Sequence, residues 1–354
     1  MKFFHIADVH LGATPDKGFP WSYDRGREIW ESFQNVIRQA GRENVGLFLI
    51  AGDLFHRQPL LKELKEVNAL FASIPNTKIV LIAGNHDYIK ENSFYKKISW
   101  AKNVFWFSKE ELSYVDFADL GVRVYGFSYH SREILEPRYN QMQISSSPMP
   151  VNILLAHGGD ETHIPISGDT FLYTPFDYVA LGHIHKPQVL QKNKVIYAGS
   201  LEPLDKNETG AHGYIKGEIR KKEIYTEFVP SSIREYRTVS VQVGKDTTQF
   251  SLENEIRKAI GEQGEEHLYT ILLEGKKPVH TEFFTDAFYK LGNVREIEDK
   301  TTMAYSKEQL KENYKGSIMG AYLALFEKEE LTEETEKAFQ YGVEALLESG
   351  EELL

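Results

Sequence analysis

The sequence predicts a two-sheet αββα sandwich of the α/β class, followed by a small α/β unit and C-terminal helices. Three observations support this fold class. The first 230 residues repeat short apolar runs that end at a glycine or a polar cluster, helical patterns separate the early runs, and strand-like segments dominate after Val122. Helices interleaved with strands, and then mostly strands, are typical of two sheets packed face to face with helices outside.

Five apolar runs predict buried strands, because each is rich in Val, Ile, Leu and Phe and is bounded by turn residues. Helical patterns over residues 25–40 and 60–73 separate the first three runs. In chain order the runs are FFHIA before Asp8, LFLIA before Gly52, KIVLIA before Gly84, VNILLA before His157 and YVAL before Gly182.

The pattern resets after residue 230. Alternating strand and helix patterns such as RTVSVQV, LENEIRKAI and LYTILLEG predict a small α/β unit over residues 231–302. The remaining residues 303–354 read as helical. We therefore predict three parts, with residues 1–230 forming the large sandwich.

The sequence pattern of the C-terminal segment, residues 303–354, predicts two helices. Thr332, followed by three glutamates within four residues, predicts the start of the second helix. The first helix is predicted from apolar residues at spacings of three and four, which form one continuous stripe: Leu310, Tyr314, Ile318, Ala321 and Leu325.

Composition is that of a globular protein, with 41% hydrophobic and 26% charged residues in a chain of 354. The N-terminus has one lysine and only a short apolar run before Asp8, which predicts neither a signal peptide nor a membrane span. We therefore expect a cytoplasmic protein without membrane contact. The chain has no cysteine, so any metal must be held by histidine, carboxylate or amide side chains.

Charge is unevenly distributed along the chain. The net charge is −11, yet residues 1–200 hold 21 basic and 21 acidic residues, and residues 201–250 hold eight of each. The whole acidic excess lies in residues 251–354. A nucleic-acid partner, which usually needs basic surface, is therefore not excluded for the N-terminal part.

Side chains able to bind a metal follow each of the five predicted strands. Because the carboxyl ends of parallel strands meet at one edge of a sheet, we expect these side chains to converge. Glycines just before several of them allow sharp turns and close backbone approach. The predicted metal ligands are Asp8, His10, Asp53, Asn85, His157, His183 and His185.

Seven nitrogen and oxygen donors are too many for one tetrahedral zinc and suit two metals that share a carboxylate. Alternation along an extended segment sends Asp8 and His10 the same way, and likewise His183 and His185. Two dications against two aspartates would leave a net charge of about +2, which attracts a phosphate. The sequence therefore favours phosphate-ester chemistry.

The set D-x-H, GD, GNHD, H and GHIH, in that order over roughly residues 1–230, resembles the calcineurin-like metallophosphoesterases. Within them, HIADVHLG, AGDLFHRQ, AGNHD, ALGHIHKPQ and YAGSLEPLD look most like the SbcD nuclease family and its YhaO-type branch. The later segments are similar to that family in layout only, as a capping domain and helices that grip the SbcC ATPase.

The resemblance implies a two-metal DNA phosphodiesterase with exonuclease and endonuclease activity in DNA repair. It also implies an SMC-like ATPase partner, a homodimer, and manganese as the metal, with iron or zinc as alternatives. His86 would protonate the leaving oxygen or stabilise the transition state, and Asp87 would orient it. Asp53 would bridge two metals, whose further ligands would be Asp8, His10 and His185 for one and Asn85, His157 and His183 for the other.

Two other functions remain open. The acidic total charge is compatible with a stand-alone phosphodiesterase or phosphatase for a small nucleotide or phosphoprotein. A metal-free scaffold on the same fold is disfavoured by the intact ligand set.

Several polar positions are less defined. Residues 158–165 could form a solvated loop or a gate. We expect His5 to lie in the core or next to the site, and four further histidines in loop-like segments to be exposed: His56, His130, His163 and His212.

Overall fold

The computed structural model describes residues 1–140, 142, 144, 147–278, 281–304, 307–326 and 332–349. The chain forms two compact units, Met1–Tyr236 and Arg237–Leu354. The finer predicted division at residues 230 and 302 stays a prediction. No helix in the described part of the chain combines the length and apolar character that crossing a bilayer requires.

The first unit contains two six-stranded sheets, and all five predicted runs form strands. Its α-helices are α1 (Ser22–Arg42) and α2 (Leu61–Ala72), close to the predicted spans, and Phe94–Lys96 forms a short 3₁₀ helix. The strands are β1 (Lys2–Ile6), β2 (Leu47–Ala51), β3 (Lys78–Ile82), β4 (Val104–Trp106), β5 (Ser113–Phe117), β6 (Val122–Gly126), β7 (Val151–His157), β8 (Tyr178–Gly182), β9 (Gln188–Gln191), β10 (Val195–Tyr197), β11 (Gly213–Arg220) and β12 (Glu223–Pro230).

Both sheets have a parallel centre, with antiparallel pairing at one edge of the first sheet and at both edges of the second. The first has the order β12-β11-β1-β2-β3-β4, with β1 to β4 parallel and β11 and β12 antiparallel. The second has the order β5-β6-β7-β8-β10-β9, with β6, β7, β8 and β10 parallel. Because the parallel strands are buried on both faces, their sequences are continuous apolar runs.

Side-chain alternation along the strands divides the core into three layers. Along β1, Phe4 packs with α1 and α2 on the outer side of the first sheet, whereas Phe3 packs between the two sheets. The outer face of the second sheet is covered by irregular segments that carry Tyr129, Tyr139 and Phe171. The predicted two-sheet sandwich is confirmed, and its helices cover the first sheet.

His5 connects the two sheets through the inter-sheet layer. Its Nε2 lies 3.2 Å from the carbonyl oxygen of Leu181, and its Nδ1 lies 3.0 Å from the hydroxyl of Tyr178. Because a carbonyl only accepts, Nε2 carries the proton and Nδ1 accepts from the tyrosine. Burial lowers the pKa of His5 to about 3, against the opposing effect of the Leu181 hydrogen bond, so the ring is neutral.

The second unit contains a small sheet and C-terminal helices. The sheet has the order β13-β14-β15, with β16 paired to β14, and α3 packs against it. Thr285–Lys290 is a 3₁₀ helix. The elements are β13 (Tyr236–Val243), which begins at the last residue of the first unit, α3 (Gln249–Gln263), β14 (Leu268–Lys277), β15 (Val294–Asp299), β16 (Thr302–Met303), α4 (Lys307–Asn313), α5 (Ile318–Leu325) and α6 (Glu333–Glu348).

The prediction of one continuous helix with a single apolar stripe is wrong. The helix breaks between α4 and α5, where Gly316 has a φ of +88° and the Ser317 hydroxyl accepts the N–H of Gly320 at 3.2 Å. The break turns Ile318 and Leu325 outward, with 56% and 71% of their surfaces exposed. Met319 and Leu323 are buried instead. The Thr332 cap of α6 is confirmed, since its hydroxyl accepts the N–H of Thr335.

We predict that His5→Gln flattens the pH dependence of the stability of the first unit. The folded ring has a pKa of about 3, against a usual value of 6.5. Between these values the unfolded chain binds one more proton, so the wild type loses stability as pH falls. Glutamine keeps a donor and an acceptor but does not titrate. The slopes should differ by up to roughly 1.4 kcal/mol per pH unit.

Urea denaturation at pH values from 7 to 4, followed by tryptophan fluorescence, measures this difference. All four tryptophans lie in the first unit, so the signal reports on that unit. Equal slopes for the two proteins would show that His5 takes up its proton in the folded state, contrary to the expectation.

Candidate active site

The five strand ends that carry the predicted ligands meet between the two sheets. β1, β2 and β3 belong to the first sheet, and β7 and β8 belong to the second. The sequence predicts convergence at the edge of a single parallel sheet, whereas the strand ends converge because two such edges face each other. Across this junction the backbone N–H of His183 donates to both oxygens of the Asp8 carboxylate, at 3.0 and 2.9 Å.

One group of predicted ligands surrounds Asp8 and Asp53. The Nε2 atoms of His10 and His185 lie 3.0 Å apart, and His10 Nε2 lies 3.7 Å from Asp53 Oδ2. Potential ligand atoms of Asp8, His10 and His185 all lie within 4.8 Å of one another. These four side chains are the ones expected to hold the first metal.

The second group of predicted ligands also contacts Asp53. His157 Nε2 is 2.9 Å from Asn85 Oδ1 and 3.5 Å from Asp53 Oδ2. His183 Nδ1 is 3.2 Å from the same oxygen of Asn85. All seven predicted ligands are therefore brought together, and Asp53 belongs to both groups. Their roles as ligands stay predictions.

The backbone at the site is held in an unusual conformation. Four of the seven residues have φ values in the left-handed region: 50° for Asp8, 51° for His10, 48° for Asp53 and 98° for His183. Such residues cost about 1–3 kcal/mol each and persist only where the surroundings impose them. Here two backbone hydrogen bonds impose the conformation. The N–H of Asp8 donates to the carbonyl of Gly52 at 3.2 Å, and the N–H of His10 donates to the backbone carbonyl of Asp53 at 3.0 Å.

Close packing at the strand ends requires glycine. A Cβ atom on Gly84 would overlap Asp53 Oδ1 and lie 2.7 Å from His157 Nε2. A Cβ on Gly182 would overlap Ala51 O. These contacts support the close backbone approach that the sequence predicts at Gly84 and Gly182.

Burial and neighbouring charges set the protonation of the cluster. Burial raises the pKa of Asp8 to about 6, although His157 and His185 oppose the shift. Burial acts in the same direction on Asp53, yet the adjacent His157 and His10 bring its pKa below the usual range. Burial lowers and Asp53 raises the pKa of His157, to a net value of about 9. The buried negative charge of Asp53 thus requires positive charge beside it.

The donor set fits divalent metal ions. It combines imidazole nitrogens with carboxylate and amide oxygens, which Mn²⁺, Fe²⁺ and Zn²⁺ all accept. His157 Nδ1 donates to the carbonyl of Ala51 at 2.8 Å, so Nε2, which faces the cluster, is the nitrogen that a metal would use. Because the pKa of His157 is raised to about 9, the Nε2 proton must leave before this nitrogen acts as a metal ligand.

His86 lies at the rim of the cluster. Its backbone N–H donates to Asp53 Oδ1 at 2.9 Å, and its ring is 4.7 Å from the ring of His10. Its Nδ1 donates to the carbonyl of His56 at 3.1 Å, and the two rings stack at 5.1 Å. His56 is exposed, as the sequence predicts, and it also contacts the candidate catalytic residue His86. The position of His56, three residues after the predicted ligand Asp53, is the sequence feature that indicates its place near the site.

The prediction that Asp87 orients His86 is wrong. The Asp87 carboxylate is buried and accepts the N–H groups of Gly84 and Phe55, at 2.8 and 3.2 Å, and the hydroxyl of Tyr95 at 2.7 Å. Its oxygens therefore point away from the imidazole of His86 and fix the loops after β2 and β3. Burial raises the pKa of Asp87 to about 7.

Two carboxylates contact the site histidines from outside the cluster. Asp160 Oδ2 lies 2.7 Å from His183 Nε2, and Glu208 Oε1 lies 2.7 Å from His185 Nδ1. Asp160 belongs to residues 158–165, for which the sequence allows a solvated loop or a gate; its side chain is exposed and is also bonded to His183. Glu208 was missed, and nothing in its local pattern marks it.

Three further histidines, His130, His163 and His212, are expected from the sequence to be exposed. His130 Nε2 donates to the carbonyl of Ser108 at 3.0 Å. The ring of His163 lies 4.7 Å from that of His183. The expected exposure of His212 is wrong, because it is buried and bonds Ser200 Oγ at 2.9 Å.

Comparison with known proteins identifies the class to which this site belongs. Residues 1–187 match the model of the family described as calcineurin-like phosphoesterase. This match covers more than half of the chain, which therefore belongs to that family of metal-dependent hydrolases.

Within the family, the chain is similar to three kinds of curated protein. The YhaO metallophosphoesterase of Bacillus subtilis is 30% identical over 303 residues, 78% of this chain and 72% of the relative. The SbcD component of the SbcCD nuclease from Staphylococcus saprophyticus is 26% identical over 72% of this chain and 75% of the relative. The DNA double-strand break repair protein Mre11 of Methanopyrus kandleri is 28% identical, and the chain spans only 61% of its length. The predicted SbcD and YhaO type of family is confirmed.

We predict that Gly84→Ala lowers the free energy of unfolding by roughly 1–3 kcal/mol, because the added methyl group meets a buried carboxylate and a buried ring that cannot move aside freely. Gly168→Ala is the matched control, since a Cβ there has nothing within 4 Å. Its effect should stay within about 0.5 kcal/mol. Urea denaturation measures both variants, and equal stability would contradict the close approach at Gly84.

Proposed function

We propose that this protein is a two-metal DNA phosphodiesterase with exonuclease and endonuclease activity, working in DNA repair with an SMC-like ATPase. The observation that carries the proposal is the convergence of seven nitrogen and oxygen donors in two groups that share Asp53. DNA is favoured as the substrate because relatives over most of the chain are named as a component of the SbcCD nuclease and as a double-strand break repair protein.

The two groups of side chains define the proposed metal sites. The first metal would be held by Asp8, His10, Asp53 and His185, and the second by Asp53, Asn85, His157 and His183. We propose manganese, and the same donors accept iron or zinc. When bound, two such ions supply Lewis-acid stabilisation of a phosphodiester and a nucleophile at neutral pH.

His86 is the proposed acid catalyst. Because its Nδ1–H is donated to the His56 carbonyl, Nε2 is the nitrogen that remains to exchange a proton with the leaving oxygen. The Asp53 carboxylate, by accepting the backbone N–H of His86, fixes the distance between this imidazole and both metal groups. Asp53 therefore has a double role, as shared ligand and as anchor of the acid.

We predict that His86→Ala abolishes DNA cleavage, by at least about 100-fold, and leaves the metal content at the wild-type value, because only the proton donor is removed. The measurement is a gel assay of manganese-loaded protein on end-labelled duplex and single-stranded DNA, with metal content determined by mass spectrometry. His130→Ala is the control, because that ring bonds the Ser108 carbonyl instead of the cluster.

Three results would contradict parts of this proposal. Loss of metal in the His86 variant would remove His86 from its proposed role. Intact DNA together with rapid, His86-dependent hydrolysis of bis-p-nitrophenyl phosphate would favour the stand-alone phosphodiesterase for small substrates. Wild-type protein that binds no metal would favour the scaffold.

The proposed ATPase contact lies on the C-terminal helices, and the resemblance also implies a homodimer. α5 exposes two apolar side chains, Ile318 and Leu325, that the second unit does not bury. Ile318 and Leu325 are seven residues apart and therefore lie on one face of α5, and apolar groups that share an exposed face favour a contact with another protein. We therefore assign α5 to the partner.

We predict that the double variant Ile318→Glu and Leu325→Glu no longer retains a tagged SMC-type ATPase from the same genome in a pull-down, because two charges enter an apolar contact. DNA cleavage by the variant alone should be unchanged. Phe250→Glu on α3 is the control, since that side chain is 73% exposed on another helix of the same unit. Retention of the ATPase by the double variant would remove α5 from the contact.

A further inference from the structure

Each histidine of the GHIH segment has its two ring nitrogens facing in different directions. In His183, Nδ1 faces Asn85 Oδ1 at 3.2 Å and Nε2 faces Asp160 Oδ2 at 2.7 Å. In His185, Nε2 faces His10 Nε2 at 3.0 Å and Nδ1 faces Glu208 Oε1 at 2.7 Å. Each ring therefore has one nitrogen turned to the cluster and one turned to a carboxylate.

Asp160 is held by its own loop. Its Oδ1 accepts the N–H groups of Thr162 and His163, at 2.8 and 2.9 Å, and the Thr162 hydroxyl at 3.0 Å. The loop can fold in this way because Gly158 has a φ of 148° and sits where a Cβ would meet the carbonyls of His163 and Ile164. With Oδ1 occupied by the loop, Oδ2 is directed at His183 Nε2 and also at His163 Nδ1, which lies 2.8 Å away.

Glu208 is held by a different loop. Its Oε2 accepts the N–H of Leu204 at 2.8 Å, which leaves Oε1 for His185. Its backbone carbonyl lies 3.2 Å from Nε2 of the buried His212, whose Nδ1 lies 2.9 Å from Ser200 Oγ. The side chain and the main chain of Glu208 are thus both fixed before any ligand binds.

We infer that Asp160 and Glu208 are positioning residues, one for each metal of the proposed function on which this inference rests. Asp160 would orient His183 for the second metal, and Glu208 would orient His185 for the first. A neutral imidazole has one N–H and one lone pair. A carboxylate that takes the N–H leaves the lone pair on the nitrogen that faces the cluster, which fixes both the tautomer and the ring.

Amide substitutions test this directly, because the loops fix the orientation of the amide. In Asp160→Asn, the amide oxygen stays with the backbone N–H groups of Thr162 and His163, so the NH₂ group faces His183 Nε2 and His163 Nδ1. In Glu208→Gln, the oxygen stays with Leu204 N–H, so the NH₂ group faces His185. A donor at that place favours the opposite tautomer, with the proton on the nitrogen that must bind the metal.

The experiment isolates one metal site at a time. In a His10→Ala background the second site remains, and in a His157→Ala background the first site remains. Mn²⁺ is titrated into each protein, and free Mn²⁺ is measured by electron paramagnetic resonance. We expect Asp160→Asn to weaken binding about 10- to 100-fold in the His10→Ala background only, and Glu208→Gln to do so in the His157→Ala background only.

Glu161→Gln is the matched control for charge. Glu161 is exposed and adjacent to Asp160, so this change removes the same charge from the same loop. It should leave both Mn²⁺ affinities at their background values. Circular dichroism and urea denaturation of every variant separate a change in affinity from a loss of fold.

The outcomes separate this inference from the proposed function. If wild-type protein binds two Mn²⁺ ions and the amide variants bind as their backgrounds do, the positioning role is wrong and the metal sites stand. An equal loss at both sites from either variant would indicate a general structural role and would also overturn the inference. If the wild type binds no Mn²⁺, the proposed metal sites are wrong and the inference falls with them.

Discussion

The buried carboxylate of Asp53 is the constraint on which the arrangement of the site depends. It lies at the end of a fully buried strand, with one oxygen bonded to the N–H of His86 and the other within 3.7 Å of His10 and His157. A charge removed from water in this way is tolerated only beside compensating charge or hydrogen bonds. The loops after β1 and β3 and the last residue of β7 provide both, because His10, the His86 N–H and His157 all lie within reach of this single group.

The sandwich provides the stability that this arrangement needs. Four residues of the cluster have left-handed backbone, and glycines such as Gly84 pack against it without room for a methyl group. Such conformations are unfavourable by themselves and persist in a rigid surrounding. The surrounding here is three apolar layers on and between two sheets, with His5 bonded from the first sheet to the second. Packing remote from the cluster therefore determines how accurately its side chains are aligned.

The fold class and all seven converging side chains could be predicted from the sequence, because apolar runs and the polar residues that follow them are local features. The partners of those side chains could not. Asp160 and Glu208 each lie 23 residues from the histidine that they contact, and Asp87 turns away from its neighbour His86 toward Tyr95. Such contacts depend on how loops fold in three dimensions. The break at Gly316 was missed for a related reason, since helical spacing continues through a residue whose φ is positive.

The division of the strand ends between two sheets also has a consequence for the order of assembly. Asp8, His10, Asp53 and Asn85 follow strands of the first sheet, whereas His157, His183 and His185 follow strands of the second. The first sheet is completed only by β11 and β12, which return to it from residues 213–230 to pair beside β1. A nascent chain that has emerged only as far as β4 therefore carries about half of the donors and an unfinished sheet. The complete cluster therefore needs residues from both sheets, and it exists only in chains whose two sheets have docked.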